Sequence, residues 1–158
     1  MIEIVDNQRK IKLDRQIFQT FAEAAVGKIP KASNKSLTIA FVSDRKMREL
    51  NKKFRDKNST TDVLSFPFLS ADLSEPGAVA MSNPPAIAGG TAPRFLGDIV
   101  ISVEQAERQS KENDLDLEVE IKQLILHGIL HLCGYDHETD AGEMNALEYE
   151  LRDKLGIL

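Results

Sequence analysis

The chain has 158 residues, of which 42% are apolar and 28% are charged. This length and composition suit one domain, spanning residues 1–158, with a single hydrophobic core. No apolar run approaches the roughly 20 residues of a membrane-spanning helix, and residues 1–15 do not resemble a secretory signal, so we expect a cytoplasmic protein without a membrane partner. Cys133 is the only cysteine, which excludes an intramolecular disulfide.

Charge is distributed unevenly along the chain, although the net charge is only -5. Lys and Arg predominate between Arg9 and Lys57, whereas Asp and Glu predominate between Glu104 and Asp153. Two interpretations are open at this point. Each half exposes ordinary solvated helix faces, or the basic half binds a polyanion.

The first half of the chain alternates between β-type and helical patterning. Runs of β-branched and apolar residues indicate strands, and apolar residues three or four positions apart indicate the helices between them. Ser43 is a suitable N-cap for the second helix, which is amphipathic and strongly basic. The predicted elements are a strand within 2–13, a helix from Asp14 that Gly27 and Pro30 end, a strand over 36–42 and the basic helix over 44–54.

Two further strands, predicted over 63–68 and 96–102, flank a segment without regular patterning. Pro67 suits the end of a strand or the edge of a sheet. Residues 69–94 contain four of the six prolines, together with Gly and Ala, and therefore predict a long loop. Structureless connections of this length are uncommon in a compact domain, so the loop is either a functional flap or a tolerated surface insertion, and we favour the insertion.

The last third of the chain is predicted to be helical. Asp140 with Glu143 resembles a capping box that opens the final helix, and Gly156 is suited to end it. The predicted helices cover 103–113, about 116–133, and 141–155.

All three histidines lie in one short motif, His127-Gly-Ile-Leu-His131-Leu-Cys-Gly134-Tyr-Asp-His137. Four residues advance a helix by about one turn and 40°, so His127 and His131 project from one face and can meet one ion. Gly134 can take a positive φ, end the helix and let the chain bring His137 back towards the pair. Three imidazoles suit Zn²⁺ and leave a fourth position for substrate, as in catalytic sites.

Other interpretations of this motif have less support. Histidines are usually unrelated packed or solvated side chains, but the concentration of all three here favours a metal site. Cys133 lies about 200° around the helix from His131, so we expect a buried thiol and not a ligand. Asp136, Glu138 and Asp140 are all candidates to orient a ligand imidazole through its second nitrogen, and the sequence does not choose between them.

The histidine spacing matches the metzincin pattern H-E-x-x-H-x-x-G-x-x-H with one exception. Gly128 occupies the position of the glutamate that acts as the general base in those peptidases. The ligand arrangement is shared, whereas peptide hydrolysis is disfavoured.

The wider pattern resembles the YbeY family of bacterial metal-dependent endoribonucleases, which mature ribosomal RNA. The block from His127 to His137 looks like the signature of that family, and two further blocks match it in order. These are Phe54-Arg55 followed by TDVLSFPF at 61–68, and LGDIVIS at 96–102. The segment between them, 69–94, is longer than the family pattern leads us to expect.

This resemblance implies an α/β (α+β) fold in which a small, mostly four-stranded mixed sheet packs with about five helices. It implies one zinc ion held by His127, His131 and His137 on a helix and the turn after it, with His127 and Arg55 as catalytic residues. It also implies cleavage of single-stranded ribosomal RNA in 16S 3′-end maturation and ribosome quality control. The partners implied are the small ribosomal subunit, one of its proteins and an assembly GTPase, but not DNA.

Combined with the uneven charge, the resemblance leads to a working hypothesis. Zinc polarises a phosphodiester while Arg55 binds a phosphate group bidentately. Lys52, Lys53 and Lys57 hold the RNA strand through contacts that are independent of sequence. The alternative is a non-hydrolytic, zinc-containing ribosome-assembly factor that binds RNA or a ribosomal protein.

Overall fold

The structure, a computed structural model, describes residues 2–67, 95–135 and 141–158. The whole of the predicted 69–94 loop lies outside these ranges, and so does His137. No helix within them is both long and apolar enough to cross a bilayer. The elements are β1 (Ile2–Asp6), α1 (Arg15–Lys28), β2 (Ser36–Val42), α2 (Asp44–Arg55), β3 (Val63–Pro67), β4 (Phe95–Ser102), α3 (Val103–Glu112), α4 (Leu117–Leu132) and α5 (Glu143–Leu155).

The four strands form one mixed sheet in the order β1-β2-β4-β3. β1, β2 and β4 run parallel, and β3 pairs antiparallel with β4, so that Val63 lies opposite Ile101 and Pro67 opposite Gly97. Pro67 is the last residue of an edge strand, where the missing amide proton does little harm to the ladder. The predicted mixed sheet of four strands with five helices is confirmed.

The start of α2 agrees with the signal in the sequence, whereas the start of α5 does not. The Ser43 hydroxyl accepts a hydrogen bond of 3.2 Å from the amide three residues on, so Ser43 caps α2 as predicted. Asp140 of the predicted capping box lies outside the described residues, but the predicted helix start at 141 is two residues too early. Helix α5 begins only at Glu143, because Gly142 takes φ 101° at the N-cap and the Glu143 carboxylate accepts from the Ala141 amide at 2.7 Å.

Side chains of the central strands point alternately to two apolar clusters on opposite faces of the sheet. The larger cluster contains Ile39 and Ile99 and is covered by α1 and α4, with α5 packed against them. The smaller cluster contains Ala40 and Val100 and is covered by α2. The apolar helix α4 and the basic helix α2 therefore lie on opposite faces of the sheet.

Candidate metal and RNA site

Helix α4 carries the first two histidines of the motif and is fixed by the larger cluster. Ile121, Ile125 and Ile129 of this helix are completely buried in that cluster. His127 and His131 lie half-buried along the edge of the same helix. Packing on one side of α4 thus sets the direction in which both imidazoles project.

The two imidazoles converge at their Nε2 atoms. Nε2 of His127 lies 3.0 Å from Nε2 of His131, and the ring centroids are 4.6 Å apart. Two tetrahedral zinc ligands at about 2.0–2.1 Å from the ion would have nitrogens about 3.3 Å apart. The donor pair therefore fits a zinc ion with little rearrangement.

The third proposed ligand, His137, lies outside the described residues, as do Asp136, Glu138 and Asp140. Within the ranges that the structure covers, no group of three His, Cys, Asp or Glu side chains could hold a metal ion. The structure thus brings together His127 and His131, and the complete ligand set stays a prediction.

Gly134 ends the histidine helix in the way the sequence predicts. It takes φ 93°, its amide donates to the His131 carbonyl at 3.0 Å, and the Tyr135 amide donates to the Leu130 carbonyl at 3.1 Å. These two bonds form a Schellman motif, in which a glycine satisfies the last carbonyls of a helix. The chain therefore leaves α4 at a sharp turn just before the segment that contains His137.

Cys133 packs against the larger cluster and is half-buried, close to the prediction of a buried thiol. Burial raises the pKa of this thiol and outweighs the opposing charges of Lys35 and Lys31. A thiol with a raised pKa is a poor metal ligand, because the ligand form is the thiolate.

Gly128 has a structural reason to lack a side chain. A Cβ atom at this position would lie 2.9–3.1 Å from three side-chain carbons of Ile99, which is completely buried in β4. Because α4 approaches the sheet closely here, a glutamate at position 128 would require Ile99 to move. This contact supports the inference that peptide hydrolysis is disfavoured.

Glu148 of α5 is a site residue that the sequence analysis missed. Its Oε1 atom lies 2.7 Å from Nδ1 of His127, and its Oε2 atom lies 2.5 Å from Nη2 of Arg152. Burial alone would raise the pKa of Glu148, but the hydrogen bonds and charges of His127 and Arg152 outweigh it and lower that pKa. The carboxylate is therefore ionised at neutral pH.

A signal for Glu148 was present in the sequence. The buried stripe of α5 includes Met144 and Leu151, and Glu148 occupies the same stripe four residues after Met144. A charged residue at an apolar position of an amphipathic helix is rarely buried unless it is paired.

A cavity of about 690 Å³ opens beside His127. Its walls come from the start of β3, from the connection between α3 and α4, and from α5. Among the described residues of these walls, four carry side-chain carboxylates and one, Arg152, carries a guanidinium. The lining includes Asp62, Gln109, Glu112, Asn113, Glu120, His127, Glu148 and Arg152.

Lys52, Lys53 and Arg55 belong to α2, which covers the other face of the sheet, and Lys57 follows the end of that helix. Arg55 is the last residue of α2 and is exposed, like Lys52, Lys53 and Lys57. No hydrogen bond or ion pair between described residues joins any of these four side chains to His127 or His131. The structure therefore does not bring the predicted phosphate-binding residues into contact with the histidines.

The carboxyl end of α2 nevertheless points towards the edge of the sheet nearest the cavity. Phe54 packs edge-on against Phe66 of β3, with ring centroids 5.2 Å apart. The connection from Arg55 then runs to Asp62, which lines the cavity beside His127.

The fold and the histidine pair define a class of small α/β proteins in which one apolar helix presents imidazoles beside an open cavity. Residues 2–156 match the family profile described as Endoribonuclease YbeY. The chain belongs to the endoribonuclease YbeY family, which confirms the resemblance seen in the sequence.

Individual relatives agree with this assignment. Endoribonuclease YbeY of Aquifex aeolicus is 40% identical over 86% of this chain and 77% of its own length. The Thermodesulfovibrio yellowstonii protein of the same name is 33% identical over 98% of this chain and 96% of its own length. The Myxococcus xanthus protein is 39% identical over 90% of this chain, which spans only 44% of that longer relative.

A solved structure shares the fold. The solution structure of TM1509 from Thermotoga maritima superposes with a TM-score of 0.60 and covers 98% of this chain and 89% of its own. The two sequences are 24% identical, so the likeness concerns the fold alone.

Proposed function

We propose that this chain is a zinc-dependent endoribonuclease that cleaves single-stranded ribosomal RNA in the cytoplasm. Membership of an endoribonuclease family makes it a hydrolase that acts on the phosphodiester bonds of RNA. Zinc and the ribosomal origin of the RNA are our additions. The observation that carries the metal is the 3.0 Å approach of the His127 and His131 Nε2 atoms.

In this proposal His127, His131 and His137 hold the ion. Bound zinc supplies a Lewis acid that polarises the scissile phosphate. The Arg55 guanidinium donates two parallel hydrogen bonds to phosphate oxygens, for which its planar geometry is well suited.

Charge near the two regions supports one direction of approach for the RNA. Among the described walls of the cavity beside His127, four side-chain carboxylates face one guanidinium, and this excess of negative charge repels a phosphate backbone. The exposed surface of α2 is basic and attracts that backbone, with Lys52, Lys53 and Lys57 close to Arg55. The RNA strand therefore approaches from the α2 side and reaches the histidines across the edge strand β3.

We extend the proposal to 16S 3′-end maturation and ribosome quality control, on the basis of the family resemblance. The partners would be the small ribosomal subunit, one of its proteins and an assembly GTPase. A non-hydrolytic assembly factor is the competing interpretation, and it predicts binding of RNA without cleavage products.

The test uses purified protein, structured ribosomal RNA and a measurement of bound zinc. His131→Ala is expected to lose zinc and cleavage together, and Arg55→Glu to keep zinc but lose at least tenfold in cleavage rate. Lys111→Glu reverses a charge at an exposed position of α3, outside the basic surface of α2, and is the control that should cleave at the wild-type rate. Equal cleavage by the wild type and all three variants would indicate a contaminating nuclease and overturn the proposal.

A further inference from the structure

We propose that Glu148 is a positioning residue for the metal site, and that Arg152 in turn positions Glu148. The Glu148 carboxylate selects the tautomer of His127 that presents an unprotonated Nε2 to the metal. This inference rests on the proposed zinc function and deepens it.

The geometry places one carboxylate between two donors. Glu148 is 9% exposed, and its two oxygens divide between His127 and Arg152 at 2.7 and 2.5 Å. An ionised carboxylate only accepts hydrogen bonds. The proton of a neutral His127 ring must therefore be on Nδ1, and the lone pair must be on Nε2.

The bond from Nδ1 to Glu148 determines the state of Nε2 on the opposite side of the His127 ring. Nε2 of His127 faces Nε2 of His131 at 3.0 Å, which is where an ion would bind. A proton on Nε2 would prevent ligation, so the bond to Glu148 maintains the ring in the binding-competent form. Carboxylate partners of this kind orient metal-binding histidines and raise their basicity.

Arg152 completes the arrangement from one turn further along α5. Its Nε atom is buried and has no hydrogen-bond partner among the residues that the structure describes. Glu148 is its ion-pair partner at this site. Arg152 thus fixes the second carboxylate oxygen and prevents the carboxylate from rotating away from His127.

Glu148→Gln tests whether the carboxylate sets the tautomer of His127, because glutamine keeps the shape of the side chain but has only one acceptor oxygen. Its amide group must turn an N–H towards either Arg152 or His127, and in the second case the imidazole proton is driven to Nε2. We expect the dissociation constant for zinc, measured by competition with a chelator at fixed pH, to rise 10–100-fold. Arg152→Gln is expected to raise it less.

Glu150→Gln is the matched control on the same helix. Glu150 pairs with Lys154 at 3.0 Å on the exposed surface, and we expect no change in zinc affinity. Nitrogen NMR shifts of the His127 ring in the metal-free protein provide a readout that lost stability alone would not change. The wild type should show a proton on Nδ1, whereas Glu148→Gln should show a mixture of tautomers.

The outcomes separate the two proposals. If the wild type binds no zinc, or if His131→Ala binds it equally well, the zinc function fails. If His131→Ala loses zinc while Glu148→Gln retains wild-type affinity and tautomer, the zinc function stands and the role of Glu148 is overturned. If Glu148→Gln does not fold, unchanged affinity and an unchanged tautomer in Arg152→Gln would overturn the proposed chain from Arg152 to His127.

Discussion

The two faces of the sheet differ in both packing and chemistry. The face under α1 and α4 contains the larger cluster and supports the histidine helix. The cluster under α2 has six buried apolar residues among those described, and the exposed side of α2 is basic. A metal site needs ligands fixed to within a fraction of an ångström, and a tightly packed helix provides that. A surface that holds a phosphate backbone requires charge more than precise placement.

A polar network of hydrogen bonds and ion pairs connects the starts of α2 and α3. The Asp44 carboxylate accepts hydrogen bonds of 2.6 Å from both the Ser102 hydroxyl and the Arg108 guanidinium. The Asp44 amide donates to Glu104, which also pairs with Lys10. Because α3 packs against α4, this network connects the basic helix to the histidine helix.

Matched leucine truncations test the difference in packing and have the largest expected effects. Leu130→Ala removes a completely buried side chain from the larger cluster, and we expect it to lower the free energy of unfolding by about 3–5 kcal/mol. Leu50→Ala makes the same truncation in the smaller cluster, where the side chains around the cavity have fewer packed neighbours to hold them in place. We expect it to lower the free energy of unfolding by about 2–3 kcal/mol. Denaturant titration of the metal-free proteins measures both, and a larger loss for Leu50→Ala would contradict the comparison.

Two glycines test how closely α4 approaches the sheet. Gly128→Ala forces a methyl group against Ile99, and we expect a loss of about 1–3 kcal/mol despite the better helix propensity of alanine. Gly27→Ala is the control, since a Cβ at Gly27 of α1 meets nothing within 4 Å. Gly27→Ala should raise the free energy of unfolding by about 0.5–1 kcal/mol, as measured by thermal unfolding. Equal changes in both variants would mean that position 128 is not crowded.

The sequence predicted the elements well because they depend on local patterns. Strand β2 was predicted at its observed bounds, and Ser43 and Gly134 mark helix ends through their own backbone chemistry. The start of α5 was predicted at 141, two residues too early, because the conformation of Gly142 and not a capping side chain sets it. A capping signal in the sequence misleads where a neighbouring residue, here Gly142, sets the helix start through its own backbone conformation.

The site was only partly predictable from the sequence, for a different reason. Histidines four apart on a helix must share a face, so the approach of His127 to His131 follows from helix geometry alone. Glu148 reaches His127 from 21 residues further along the chain, and that contact depends on how α5 packs against α4. Arg55 ends α2, and the packing of α2 on the opposite face of the sheet from α4 is likewise a property of the tertiary fold.

Asp44→Asn tests the network between the faces, and its effect should depend on pH. Hydrogen bonds from Ser102 and Arg108 overcome the effect of burial and lower the pKa of Asp44 from its ordinary value of 3.8. A lowered pKa in the folded state stabilises the protein above that ordinary value, and the contribution disappears as the pH falls through the folded pKa. We expect Asp44→Asn to lose about 1 kcal/mol at neutral pH and progressively less below pH ~4.

The control for this measurement is Asp14→Asn, which replaces the N-cap of α1 by another good N-cap residue. Its free energy of unfolding should stay within a few tenths of a kcal/mol of the wild type. If the difference between Asp44→Asn and the wild type did not shrink in acid, the ionised Asp44 would not be what connects α2 to α3.

The smallest effect, and the one that bears on charge alone, is expected for Lys53→Ala. Lys53 is exposed near the carboxyl end of α2, where the proposed RNA path begins. Removing one phosphate contact to a single strand should weaken RNA binding a few-fold and reduce the slope of log affinity against log salt by about 0.7. Lys111→Ala removes an exposed lysine from α3 in the acidic half and should leave that slope unchanged. Since the proposed zinc site lies on α4, on the opposite face of the sheet from α2, Lys53→Ala should bind zinc as the wild type does. A joint loss of zinc and RNA binding would contradict the separation of the two faces.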